Sequence, residues 1–155
     1  MEKSGKIVAE NRRARFDYEI LETVEAGLIL TGPEVKSCRM GRVSLAGAYV
    51  SFLHGTPRIK GMDIALYPFA SVPDYEPRRE RLLLLSKREA LRLWSFAEQR
   101  GLTVIPLELR AGKYIKLLLG VGRGRKKGDK RQKIREREME RRLRGIHISS
   151  ATGRW

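Results

Sequence analysis

The chain has 155 residues, with 33 Lys and Arg against 18 Asp and Glu, so its net charge is +15. This length predicts one domain. An apolar share of 41% predicts a packed core rather than a wholly disordered chain. The single cysteine excludes an internal disulfide framework, and no apolar run has the length of a signal peptide or a membrane span. We therefore expect a cytoplasmic protein without a membrane partner, whose charge favours nucleic acid as its ligand. We also expect a monomer.

The first elements predicted along the chain are two strands and a short helix. Residues 16–20 alternate between apolar and acidic side chains, which is typical of a half-buried strand. Residues 25–27 predict a turn, and residues 28–30 predict the returning strand. Thr31 and Glu34 have the spacing of a capping box, so a short helix begins there.

The middle of the chain predicts a hairpin followed by a long loop. Two apolar stretches flank residues 54–57, whose Gly and Pro are typical of a hairpin turn. Three prolines between residues 63 and 80 indicate a loop. Residues 82–85 predict either a short strand or the approach to the next helix.

The last predicted elements of the body are a helix and a second hairpin. Ser86 begins another capping box, and the helix is expected to end at Gly101. Its predicted inward-facing side chains are those of Ala90, Leu93, Trp94 and Ala97. Two strands then flank a turn at residues 111–113, and Pro106 predicts an edge or a bulge in the first of them.

These elements predict a mainly β fold. About six short strands with two to three inserted helices are best closed as an OB-like β-barrel, an architecture that binds nucleic acid on a strand face and its loops. A half-open α+β sheet is the alternative. We assign this domain to residues 1–120.

The remaining residues predict a basic tail. Residues 1–120 hold 20 basic and 14 acidic side chains, a net charge of +6, whereas residues 121–155 hold 13 and 4, a net charge of +9. Few large apolar side chains occur in the tail, so it is expected to be disordered when free. Glycines alternating with cations over residues 120–131 predict a flexible hinge. Good helix formers over residues 130–144 predict a helix that folds on a partner, with a solvated charged helix as the alternative.

Catalytic chemistry has little support in this sequence. Cys38 and His54 could form a thiol–imidazole pair, but a buried cysteine and a turn histidine are the simpler interpretation. No metal-ligand spacing occurs, and the glycine run after residue 120 matches neither a Walker loop nor a dinucleotide fingerprint. We expect no metal, no cofactor and no enzyme activity.

Arginine clusters predict RNA binding instead. Guanidinium groups pair with phosphates and stack on bases, which suits RNA. Glu34 has two interpretations, a helix cap or the orienting partner of a nearby arginine or base. Arg78, Arg79 and Arg81 form a weaker cluster, diluted by Glu76 and Glu80. The other candidate RNA-binding residues are Asn11, Arg12, Arg13, Arg15, Lys36 and Arg39.

Several runs of this sequence match one family pattern in order and spacing: residues 11–18, 25–39, 41–43, 76–79, 83–89, 103–107, 120–126 and 129–131. The run from Thr31 to Arg39 is the most specific of them. Over roughly residues 10–144 the sequence therefore resembles the family of small protein B, the SsrA-binding (tmRNA-binding) proteins.

This resemblance implies an OB-like barrel that binds the tRNA-like part of tmRNA near its D-loop. It implies delivery of tmRNA to the A site of a stalled ribosome, with elongation factor Tu as a partner through aminoacylated tmRNA. The tail would become helical in the decoding centre and the empty mRNA path, so that the stalled peptide is tagged for degradation.

The resemblance also carries residues over. Asn11, Glu34 and the cations around them match the tmRNA-contact motifs. Gly128 stands where the family usually has a ring that could stack on an rRNA base. The tail positions that match the decoding-centre segment are Arg123, Arg125, Lys126, Asp129, Lys130 and Arg131.

Two other classes of protein stay open beside this one. A structural OB-fold ribosomal protein would share the barrel and the charge. An enzyme, such as a nuclease using Asp63, Asp74 or Glu76, would need a carboxylate pair or a metal spacing, and neither occurs in the sequence.

Overall fold

A computed structural model describes residues 5–125, residue 135 and residues 137–139. No described helix is long and apolar enough to cross a membrane. A 3₁₀ turn, Leu53–Gly55, follows the fourth strand. The strands and helices in chain order are β1 Lys6–Glu10, α1 Arg12–Asp17, β2 Tyr18–Leu28, α2 Gly32–Arg39, β3 Val43–Ser44, β4 Tyr49–Ser51, β5 Arg58–Lys60, β6 Asp63–Ile64, β7 Arg81–Leu84, α3 Lys87–Ala97, β8 Leu102–Ala111 and β9 Ile115–Gly124.

Seven of the strands form one antiparallel sheet in the order β1-β8-β9-β2-β7-β5-β4, and β3 pairs with β6. The predicted mainly β class is confirmed. The closed barrel is not confirmed, because β1 and β4 are the two edges of the sheet and no ladder joins them among the described residues.

The core lies between the sheet and the helices that cover it. Its larger cluster packs Leu93 of α3 and Cys38 of α2 with the buried side chains of β8 and β9. A smaller cluster holds α1 in place, since Ala14 packs on Ile105 and Leu107 of β8. Both of the helices that carry predicted RNA-binding residues are therefore anchored by apolar contacts.

The capping signals in the sequence are confirmed. In α2 the Glu34 backbone N–H donates to Thr31 Oγ1 at 3.3 Å, and the Thr31 N–H donates to Glu34 Oε1 at 2.9 Å. In α3, Ser86 and Glu89 form the same pair of hydrogen bonds. Such reciprocal bonds satisfy two N–H groups that the first turn of a helix leaves without partners.

Helix α3 differs from its prediction in two respects. It ends at Ala97, not at Gly101, which instead adopts a φ of +84° in the following turn. Leu93 is fully buried as predicted, but Trp94 is half exposed. Residues one position apart on a helix point about 100° apart, so Leu93 and Trp94 cannot both face the core fully.

The predicted start of the fold is wrong in its details. Phe16 lies in α1, because Asn11 caps a helix there, and the strand begins only at Tyr18. The turn predicted at residues 25–27 does not exist, since β2 continues to Leu28 with β7 and β9 on either side. Gly27 lets the two strands approach closely, because a Cβ there would lie 3.2 Å from Leu84 Cβ, a tight contact.

Both predicted hairpins are confirmed, as β4–β5 and β8–β9. Pro106 lies at a register shift, as a bulge predicts, but β8 is an interior strand between β1 and β9. The lack of a backbone N–H at Pro106 is tolerated there because the bulge interrupts the ladder of hydrogen bonds. Residues 81–84 form a strand, and the predicted loop over residues 63–80 includes the two-residue strand β6.

The predicted hinge is wrong over residues 120–124. Strand β9 continues to Gly124, pairing with both β2 and β8, and Val121 is fully buried. Gly120 and Gly122 are part of this strand. Larger side chains at these two positions would meet Leu107 and Tyr18, respectively, which explains glycine at both. Within the rest of the predicted hinge, the Arg125 backbone N–H donates to the Asp17 carbonyl at 2.9 Å, and residues 126–131 lie outside the described residues.

We expect Gly122→Ala to lower the free energy of unfolding by about 1–3 kcal/mol, the usual cost of overpacking. A Cβ there would lie 2.9 Å from Tyr18 Cβ, which cannot move without its backbone. Gly124→Ala, in the same strand, is the matched control, since its Cβ would meet nothing within 4 Å. Urea denaturation of both variants checks this, and equal losses would contradict the packing argument.

Candidate nucleic-acid interface

Asn11 is a structural residue at the start of α1. Its side chain accepts a hydrogen bond from the Ala14 backbone N–H at 3.1 Å and donates one to the Pro106 carbonyl at 2.9 Å. Only 8% of the residue is exposed. Asn11 therefore fixes α1 against β8, and it supports the neighbouring cations by positioning this helix.

The arginines of α1 face solvent. The Arg12 side chain is 90% exposed, 4.0 Å from Glu10. Arg13 Nε donates to Asp17 at 3.0 Å, and half-exposed Arg15 donates to Glu108 at 3.2 Å. We call these three cations the α1 group. Two of them, Arg12 and Arg13, border an open groove of about 290 Å³ between the start of α1 and the β3 segment.

We expect Asn11→Ala to cost about 2 kcal/mol in the free energy of unfolding, because it removes a helix cap and leaves the Pro106 carbonyl without its donor. Arg12→Ala is the control, and its effect on stability should stay within about 0.5 kcal/mol, as for other exposed sites. Thermal denaturation separates the two. Equal stability of the Asn11 variant and the unaltered protein would contradict the structural role.

Glu34 is the centre of a second cluster, which we call the Glu34 cluster. Arg79 donates to its two carboxylate oxygens at 3.0 and 2.6 Å, and Arg81 donates to Oε2 at 3.0 and 2.7 Å. Burial of Glu34 would raise its pKa, but hydrogen bonds from Arg79, Thr31 and Arg81 outweigh burial and lower the pKa from 4.5. The carboxylate is therefore ionised at neutral pH.

Arg81 is fully buried in this cluster. Its remaining donors bind the carbonyls of Met62 at 2.7 Å and Pro77 at 3.0 Å. Arg79, by contrast, keeps 39% of its side chain exposed while both of its terminal donors are held. Both interpretations of Glu34, the helix cap and the orienting partner of an arginine, are therefore confirmed as contacts. Being buried, Glu34 can act on a ligand only through Arg79.

The sequence interpretation undervalued Arg79 and Arg81. Glu80 does not neutralise them, because its carboxylate binds Arg58 at 2.6 Å and Lys60 at 3.5 Å. Alternate side chains of an extended segment point to opposite faces, so Arg79 and Arg81 share the Glu34 side and Glu80 takes the other. The period-two spacing of these two arginines was the signal that could have identified them.

Lys36 and Arg39 make contacts on elements other than α1. Arg39 donates to the carbonyls of Gly112 and Lys113 at 2.8 and 3.2 Å, in the β8–β9 turn near the first residue of β1. Asn11 follows the last residue of that strand, about 17 Å away at the usual rise per residue. Lys36 Nζ lies 5.4 Å from the centre of the Tyr67 ring. Lys36 and Arg39 therefore have partners outside the α1 group, and their place in one RNA-binding patch with it stays a prediction.

The predicted tail residues are described only in part. Arg123 lies within β9, with its guanidinium 3.5 Å from Glu19, and the Arg125 backbone N–H donates to the Asp17 carbonyl at 2.9 Å. Lys126, Asp129, Lys130 and Arg131 lie outside the described residues, as does Gly128. Residue 135 and residues 137–139 are helical, within the stretch 130–144 where a helix is predicted.

Two of the residues considered for catalysis, Cys38 and Asp63, have structural explanations. Cys38 is fully buried, and burial raises the pKa of its thiol to about 12, so it is not a thiolate at neutral pH. The His54 side chain is outside what the structure describes. Asp63 lies 3.9 Å from the Arg78 guanidinium. Within residues 5–125, 135 and 137–139, no three His, Cys, Asp or Glu residues are grouped to hold a metal ion.

The antiparallel sheet holds exposed arginines on two anchored helices and on the segment before β7. This arrangement is typical of proteins that bind nucleic acid. The sheet supplies a rigid support, and the buried carboxylate of Glu34 orients one of the cations. This defines the class of the protein as a small, basic β-sheet protein of the nucleic-acid-binding type.

The chain belongs to the SmpB family, since the family model described as SmpB protein matches residues 8–147. The SsrA-binding protein of Synechococcus sp. (strain JA-3-3Ab) is 50% identical over 140 residues, 89% of this chain and 91% of that protein. The SsrA-binding protein of Thermus thermophilus is 46% identical over 138 residues, 88% of this chain and 96% of the other. The resemblance noted from the sequence is confirmed.

A solved structure supports the same assignment. It carries the description "tmRNA-SmpB: a journey to the center of the bacterial ribosome", and it is similar with a TM-score of 0.64 and 48% sequence identity. The match covers 76% of this chain and 84% of the other. Fold and sequence therefore agree.

Proposed function

We propose that this protein binds tmRNA, the SsrA RNA, and acts in trans-translation on stalled ribosomes. The observation that carries the proposal is membership of the SmpB family over residues 8–147, with relatives named SsrA-binding protein that are matched over about nine-tenths of this chain. The tRNA-like domain of tmRNA is the part that the folded body binds.

The geometry of the two cationic groups supports this proposal. Arg79 is held by Glu34 before any ligand arrives, so less conformational entropy is lost when it binds a phosphate. The α1 group adds guanidinium groups that are already exposed. The α1 group lies on α1, whereas the Glu34 cluster joins α2 to the segment before β7. Cations on several separate elements suit an extended, folded RNA better than a single small anion.

The tail supplies the second half of the proposed mechanism. Residues 121–155 carry a net charge of +9, which favours a channel walled by rRNA. In this proposal the tail enters the decoding centre and the empty mRNA path, while elongation factor Tu delivers the complex through aminoacylated tmRNA. The protein works as a monomer in the cytoplasm and catalyses no reaction of its own.

A purified translation system with ribosomes stalled on an mRNA that lacks a stop codon tests the proposal. Tagging of the stalled peptide should require both this protein and aminoacylated tmRNA. If tagging proceeds equally without the protein, the proposal is wrong. Steady association with unstalled subunits, independent of tmRNA and without tagging, would instead indicate a structural ribosomal protein.

A further inference from the structure

The segment between β6 and β7 presents an aromatic ring to solvent on a tight turn. Phe69 is 83% exposed, and its ring forms a T-shaped pair with the ring of Tyr67, with 5.5 Å between the ring centres. The Ala70 backbone N–H donates to the Tyr67 carbonyl at 3.0 Å, which closes a four-residue turn with Pro68 at its second position. Residues 67–70 are called the aromatic turn below.

Several hydrogen bonds pin the base of the aromatic turn to the body. Ser37 of α2 donates from its hydroxyl to the Ala65 carbonyl at 2.6 Å, and the Tyr75 hydroxyl donates to the Ile64 carbonyl at 2.6 Å. Proline at the second turn position also restricts the backbone. Phe69 is therefore exposed on a constrained support, so binding to it costs little additional ordering.

A cation accompanies these rings. Lys36, from the last turn of α2, holds its ammonium 5.4 Å from the centre of the Tyr67 ring, within the range of a cation–π contact. Two residues earlier on the same helix, Glu34 orients the exposed Arg79. Aromatic faces beside cations are the usual means of binding unpaired nucleotides, with stacking for the base and positive charge for the backbone.

We propose that the aromatic turn is a stacking site for one unpaired nucleotide of the bound RNA. The base stacks on Phe69, and Lys36 binds a phosphate next to that base. This inference rests on the proposed function and adds a site to it. A single ring on a four-residue turn matches the area of one base, whereas a stable protein partner covers about 800 Å² on each side.

Binding of the tRNA-like domain of tmRNA, measured over a salt series, tests this site. We expect Phe69→Ala to weaken binding roughly tenfold without changing the salt dependence, because stacking releases no counterions. Phe69→Trp should keep or improve the affinity. Lys36→Ala should lower the slope of log K against log salt by about 0.7–0.9, the value for one phosphate contact.

Leu91→Ala is the matched control, because it removes another exposed apolar side chain, from α3, and should leave binding unchanged. Wild-type affinity of Phe69→Ala would overturn the stacking site. Unchanged RNA affinity of Phe69→Ala together with weaker binding to the ribosome would also overturn the stacking site, and it would indicate a protein partner. Neither result affects the proposed function, which fails if the unaltered protein does not prefer tmRNA to tRNA or if tagging proceeds equally without the protein.

Discussion

Replacement of Glu34 by alanine is expected to lower the free energy of unfolding by about 3–5 kcal/mol, the usual result of removing one partner from a buried ion pair. Arg81 has no exposed surface, and Glu34 is its charged partner at 2.7 Å. Without Glu34, a guanidinium would stay buried with carbonyl oxygens alone to compensate its charge. Urea denaturation at pH 7 measures the loss.

Glu80→Ala is the matched control for this prediction. Its carboxylate also binds two cations, Arg58 and Lys60, but at the surface, where solvent screens the pair. The denaturation midpoint of this variant should therefore stay near that of the unaltered protein. Equal losses in the two variants would show that burial of the Glu34 cluster does not stabilise the fold.

The lowered pKa of Glu34 also sets the sign of a pH effect. A carboxyl group whose pKa is lower in the folded state contributes stability above its unfolded value near 4.5, and this contribution is lost as the pH falls through the folded value. The stability advantage of the unaltered protein over Glu34→Gln should therefore shrink as the pH falls below about 4.5. An advantage that grows in acid would contradict the assignment.

Truncation after Arg125 is expected to abolish tagging on stalled ribosomes while leaving tmRNA binding largely intact. The two cationic groups lie entirely before this position, and the sheet is complete by Gly124. In the proposed mechanism only the tail reaches the mRNA path, so its loss removes function without removing the RNA-binding body. Tagging and tmRNA affinity are measured on the same preparation.

The position of the truncation matters, because a cut after Gly120 would remove Val121 from the core and four residues from β9. Such a variant would lose stability as well as the tail, and its RNA affinity could not be interpreted. A large loss of tmRNA affinity on truncation after Arg125 would contradict the assignment of tmRNA binding to the body and of the mRNA path to the tail. It would indicate that the tail binds RNA in general.

Local chemistry explains which parts of the fold could be predicted from the sequence. The Thr31 and Ser86 capping boxes depend on residues three apart, and the β8–β9 hairpin on adjacent strands, so both signals are contained in short stretches. The continuity of β2 depends on β7 and β9, which pair with it from far along the chain. A glycine at position 27 therefore resembled a turn residue until its neighbours in the sheet were known.

The candidate site shows the same limit of local patterns. The arginines of α1 could be named because three cations occur together over residues 12–15, although the helix that carries them was not predicted. The burial of Glu34 was not predictable locally, since Arg79 and Arg81 reach it from more than 40 positions away. The aromatic turn carried no sequence signal of its own, because the exposure of Phe69 depends on what packs around it.

Binding of the unaltered protein to tmRNA and to tRNA, compared over a salt series, tests the central claim most directly. Selective recognition predicts that tmRNA binds more tightly than tRNA at every salt concentration, and that the preference persists when salt has weakened the general attraction to phosphates. Equal affinity for the two RNAs throughout the series would contradict the account, because charge alone would then explain the binding.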